Sequence, residues 1–158
     1  MQEVLNLQKE AKLAFAKADH LVYMTYPTIK EVRLLYSAIE SINTALLKSL
    51  DALLLYERVY KQIGVFPKDL NSKLNIYMDY CVRKHGFDQE IGFLIRALNK
   101  IIEAKRNAPI EFARQGKFVI CSDDYRMRII DDKMVKKHLS MARPFIAKVG
   151  EHINVGRR

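Results

Sequence analysis

Along the first stretch of the chain, apolar and small residues recur at Val4, Leu7, Ala11, Ala14, Ala18, Leu21 and Thr25, in alternating steps of three and four. This spacing lines them up on one face of a helix. Its middle is alanine, which lets a partner helix approach closely. The residue before a proline avoids helical geometry, so Tyr26-Pro27 predicts an end to a helix over about 2–25. A second pattern opens at Pro27 or Thr28 and keeps the same spacing through Val32, Leu35, Ile39, Ile42, Leu46, Ser49, Leu53, Tyr56, Tyr60 and Ile63, up to a capping Gly64. A helix of this length is a rod on the order of 50 Å, longer than the first can cover. Leu34, Ala38, Ala45, Leu47, Leu54 and Leu55 widen its apolar face, so it should touch several neighbours and form the centre of a bundle.

Beyond Gly64-Val65-Phe66-Pro67, Asp69 or Asn71 can cap a third helix through Leu70, Leu74, Tyr77 and Cys81, ending at Gly86. Asp88 can cap a fourth through Ile91, Leu94, Ile95, Leu98, Ile101 and Ile102, stopped by Asn107 and Pro109. The period then changes. Phe118-Val119-Ile120 is β-prone, and Tyr125, Met127 and Ile129 alternate with Arg126 and Arg128 after a Ser122-Asp123-Asp124 turn, which predicts a small hairpin. Helical spacing returns from Asp132 with Leu139, Ala142, Phe145, Ile146, Val149 and Ile153, with a kink or break expected near Met141 because Pro144 removes one hydrogen bond. The expected fold is therefore mainly α: one up-and-down bundle of about five helices in a single domain over 1–158, with a small β-hairpin before the last helix. A four-helix core over 1–107, the hairpin over 111–130 and a C-terminal helix over 132–153 make up that domain.

Composition supports this picture: 158 residues that are 49% hydrophobic can bury a continuous core without metals or disulfides. Lys48 and Asp51 interrupt the most hydrophobic stretch, Ala45 to Tyr56, so no membrane span is expected. Glu3, Lys9 and Glu10 come early, without the basic-then-apolar order of a secretory signal, and the expectation is a cytoplasmic protein. Cys81 and Cys121 read as small hydrophobes rather than a disulfide. The net charge of +9 is concentrated towards the end, where residues 111–158 hold 11 basic against 6 acidic groups while residues 1–63 hold 8 against 7. Such a field attracts RNA or another polyanion, and it equally serves a basic protein that merely stays soluble.

Phosphate-binding glycine loops, a serine nucleophile elbow, a His-Glu-x-x-His motif and zinc-knuckle spacings are absent, so no catalytic residue is assigned. Cys81 and His85 lie four apart and could face one metal, with Cys121 or His138 completing the set. A buried cysteine and a surface histidine at a helix C-terminus explain the pair as well, and neither metal nor cofactor is assigned. Asp123-Asp124 and Asp131-Asp132 read as turn and cap residues, and His20 beside Asp19 as a solvated or partly buried histidine. Most of the eight tyrosines occupy packing positions. The candidate nucleic-acid contacts are Arg126 and Arg128 on one strand face, with Arg114, Lys117, Lys136 and Lys137 close in sequence.

Residues 1–107 resemble the HEPN class of helical bundles, through the alanine-spaced opening helix (Ala11, Ala14, Ala18) and the stretch Ala38-Ile39-Glu40-Ser41-Ile42-Asn43-Thr44-Ala45-Leu46. The chain as a whole is similar to small archaeal proteins of unassigned activity. The resemblance implies dimerisation through a helical face. In ribonuclease members, an arginine and a histidine four to six residues later meet at the dimer cleft and act on the RNA 2′-hydroxyl and phosphate. This chain lacks that pair: Arg83 and His85 are two apart, roughly 200° around a helix. The expected function is a non-enzymatic binding or oligomerisation module, with RNA or another polyanion, a protein partner or a second copy as its ligand. The alternatives are a metal-independent ribonuclease using His85 or His20 with Arg83, and a purely structural protein-binding bundle.

Overall fold

The computed structural model describes residues 1–157. Five helical runs and one small sheet form the domain, with the sheet inserted before the last helix. Helix α1 (Gln2–His20) continues through a π-helical turn (Leu21–Thr25) into a last turn (Tyr26–Ile29), which Lys30 closes in the left-handed conformation. The expected stop before Pro27 is thus one turn early. In the π turn the Tyr26 amide donates to the Leu21 carbonyl, five residues back, and this wider register lets Pro27 sit at the start of the last turn, where its missing N–H costs little.

Helix α2 (Arg33–Val59) is the central rod, packed against α1 along its length and against the fourth and fifth helices on other faces. Val4, Ala11, Ala18 and Val22 of the first run are fully buried against this core, and the two alanines permit the close approach anticipated from the spacing. Helix α3 (Leu70–Ile76) is capped by Asp69, whose carboxylate accepts from the Ser72 amide at 2.9 Å. It passes through its own π turn (Tyr77–Val82) to Arg83–His85, where Gly86 ends it at φ +66°. Helix α4 (Glu90–Asn107) begins where the Asp88 carboxylate accepts from the Glu90 amide.

Strands β1 (Ile110–Arg114), β2 (Lys117–Cys121) and β3 (Met127–Ile130) form an antiparallel sheet in the order β1-β2-β3. The expected hairpin is therefore three-stranded, since Ile110-Glu111-Phe112-Ala113 pairs with the far side of β2. Phe118, Ile120 and Ile130 are buried on the inner face. Helix α5 (Asp132–Val155) starts at Asp131, whose carboxylate accepts from the Met134 amide at 2.8 Å. It runs unbroken through Pro144 rather than splitting near Met141. Ser140, which would have paired with the missing N–H, and Pro144 itself both face solvent, so water can take the freed carbonyl. No helix among the described residues is long and apolar enough to cross a membrane.

Candidate functional site

Near the end of α2, the apolar stripe Leu46, Leu50, Leu53 and Leu54 runs on into Glu57, which is only 2% exposed. A carboxylate carried into the core by helical period needs partners there. Two histidines and a tyrosine supply them. His152, from the last turns of α5, places Nε2 at 2.5 Å from Glu57 Oε1, within hydrogen-bond reach of the carboxylate. His85, the last residue before Gly86, brings Nε2 to 3.5 Å from the same oxygen. The Tyr80 hydroxyl donates to the other carboxylate oxygen at 3.2 Å.

Aromatic rings wall the cluster. Tyr56 and Phe87 meet the His152 ring edge-on, Tyr80 meets His85 in the same way, and the two imidazoles lie with centroids 4.4 Å apart. Burial pushes the His85 imidazolium down in pKa, and the Glu57 carboxylate pulls against that shift. Cys81, one turn before His85, is buried and its thiol is pushed up to about 12, first by burial and then by Glu57. It is a packing residue, as the sequence suggested, and the grouped donors around His85 are Glu57 and His152 rather than Cys121 or His138.

The second candidate surface is the sheet. The pairing puts Phe118 and Ile120 inward, so Lys117, Val119 and Cys121 lie on the outer side with their cross-strand partners Arg114, Phe112 and Ile110 on β1 and Ile129 and Met127 on β3, and Val119, at its centre, is itself buried at 5% exposure. The outward face is accordingly apolar, with Ile110 55%, Phe112 38%, Met127 63% and Ile129 48% exposed. Arg114 and Lys117 pair at its hairpin end and, with Phe112, Val119, Met127 and Ile129, line a shallow groove across it.

The six cations singled out in the sequence do not form one patch. Arg126 and Arg128 lie at the other end of the sheet, in a cleft shared with Lys100, Glu103, Asp123 and Asp124, and Arg126 is paired with Asp124 at 3.2 Å. Lys136 is on the first turns of α5, paired with Asp132 and over the Tyr23 ring, and the exposed Lys137 follows it. Only Arg114 and Lys117 flank the apolar outer face.

The chain matches no family model, curated protein or solved structure. Of the three grouped residues only His85 stands out in the sequence, and Glu57 and His152 do not. The signal was present in the period: Glu57 lies four residues after Leu53, and His152 three after Val149, so each is an ionisable group on an otherwise apolar stripe.

Proposed function

We propose that this protein is a non-enzymatic binding module that takes single-stranded RNA on the outer face of its sheet. The observation that carries the reading is the chemistry of that face: exposed Phe112, Met127 and Ile129 beside the paired cations Arg114 and Lys117. An antiparallel sheet with one solvated face ordinarily alternates apolar-in and polar-out, so an apolar outer face marks a surface with a ligand. Bases offer flat apolar faces and phosphates the complementary charge, and a net charge of +9 favours a polyanion over a second, equally basic copy.

The ribonuclease alternative has less behind it. His20 is exposed and lies 3.3 Å from the Thr25 hydroxyl, His85 is turned towards Glu57, and Arg83 is exposed.

The test is fluorescence anisotropy of a labelled single-stranded RNA of mixed sequence, titrated with protein at several salt concentrations. Phe112→Ala is expected to weaken binding roughly 5- to 150-fold, the equivalent of one lost stacking contact. The Arg114→Ala/Lys117→Ala double variant should lower the salt slope by about 1.4, while Arg126→Ala should bind as the parent does. No binding at low salt, or equal losses in all three variants, would refute the reading. A concentration-dependent dimer abolished by Phe112→Ala would assign the face to self-association instead.

A further inference from the structure

Three helix C-termini converge at the buried carboxylate. Glu57 lies in the last turn of α2, His85 is the last residue of the α3 run, and His152 is in the last turn of α5. Each helix end carries roughly half a negative charge, so the ends and the carboxylate together make a place that favours a cation. Protons alone satisfy it poorly. Both imidazoles turn Nε2 towards the same oxygen, His152 takes the short contact, and His85 Nε2 is sealed from solvent without a hydrogen bond. A buried ring nitrogen left without a hydrogen bond, beside a carboxylate already engaged, is a ligand atom that a metal ion can take in place of a proton.

We propose that Glu57, His85 and His152 are the protein ligands of one divalent transition-metal ion, with Zn2+ the best-matched. The three donor atoms lie within 4.8 Å of one another. Ligands at about 2.0–2.1 Å from a tetrahedral zinc stand about 3.3 Å apart, close to the 3.5 Å between His85 Nε2 and Glu57 Oε1. The His152 contact has to open by less than about 1 Å, within the reach of a small change in side-chain torsions. Two imidazoles and one carboxylate are a known three-ligand set for zinc, which leaves the fourth position to water. Tyr80, bonded to Glu57 Oε2, fixes the carboxylate so that Oε1 faces the ion, the outer-shell role that steadies metal ligands. Side chains of His85 and His152 are about a quarter exposed, which gives the ion a path in. Neutral imidazoles and a carboxylate around a dication leave one positive charge opposite three negative helix ends.

The test uses the full chain stripped with chelator, reloaded with Zn2+ or Co2+ and freed of excess by gel filtration. One retained equivalent of Zn2+ is expected, with a rise of several degrees in Tm when free metal is well above its Kd. His85→Gln and His152→Gln, checked for folding by circular dichroism, should lose the retained metal, and His20→Gln should keep it. The Co2+ form of the parent protein gives a readout that does not depend on variants folding: tetrahedral visible bands without a thiolate charge-transfer band. No retained metal in the parent protein, folded His85→Gln and His152→Gln variants that bind as it does, or a thiolate band pointing to Cys81 would each overturn the assignment.

Discussion

The two faces of the three-stranded sheet are built from nearly the same residues and have opposite fates. Inward, Phe118, Ile120 and Ile130 are buried against the helices, and outward, Ile110, Phe112, Met127 and Ile129 stand in solvent. Burial of an apolar side chain stabilises by roughly 1.5–3 kcal/mol, and the outer residues, 38–63% exposed, forgo about half of that. Identical side-chain chemistry therefore means core on one face and surface chemistry on the other, and only the packing partner decides which.

Phe118 and Phe112 make the sharpest test, because they lie on adjacent strands and opposite faces. Phe118→Ala removes a fully buried ring that meets Tyr36 at a centroid distance of 6.0 Å, and should cost about 3–5 kcal/mol. Phe112→Ala should change stability by no more than about 0.5 kcal/mol. Urea denaturation of both variants measures the contrast. Equal losses would mean that the outer face is covered within the single chain, and the reason for calling it a ligand surface would disappear.

Next in size is the junction between sheet and bundle. Asp131 follows β3 directly and caps α5 through the Met134 amide, so it holds the inner face of the sheet to the helix that carries His152. Asp131→Ala should cost about 1 kcal/mol, read in the same denaturation series. Asp131→Asn, which keeps an acceptor, should recover most of it. A variant as stable as the parent would show that the sheet is held by its buried phenylalanine and isoleucines alone.

How much of this was legible beforehand depends on which force sets each feature. The last three helices follow their apolar period closely, whereas α2 ends at Val59, short of the Gly64 expected to cap it, and the caps at Asp69 and Asp131 were visible because local hydrogen bonding decides them. Pro27 and Pro144 misled, since a π turn at one and solvent-facing carbonyls at the other remove the expected penalty. β1 was hidden because five residues show little alternation and their pairing is decided across the sheet. The cations Arg126 and Arg128 shared a face as expected, but that face turned towards α4 and its acidic neighbours, because apolar residues held the outer one. Glu57 and His152 are 95 residues apart, and only the packing of α2 against α5 brings them together.

The smallest expected effect concerns His138, on the helix that follows the sheet. Its Nδ1 is sealed from solvent without a hydrogen bond, and burial, reinforced by the neighbouring Lys137 charge, lowers its pKa below the ordinary 6.5. The folded chain thus keeps this imidazole neutral in a range where the unfolded chain protonates it. Above about pH 6.5 neither state binds the proton and the residue imposes no penalty. As pH falls below that value the unfolded state binds more protons, so stability declines until the pH passes the lower folded pKa, where the loss is complete. His138→Leu should therefore shrink the difference in Tm between pH 7.5 and pH 5.0 without abolishing it, whereas Phe112→Ala, on the open face of the sheet, should leave that difference as it is. If His138→Leu keeps the full acid sensitivity, the ring is protonated within the fold, and α5 must then hold an acceptor for it that the packing does not reveal.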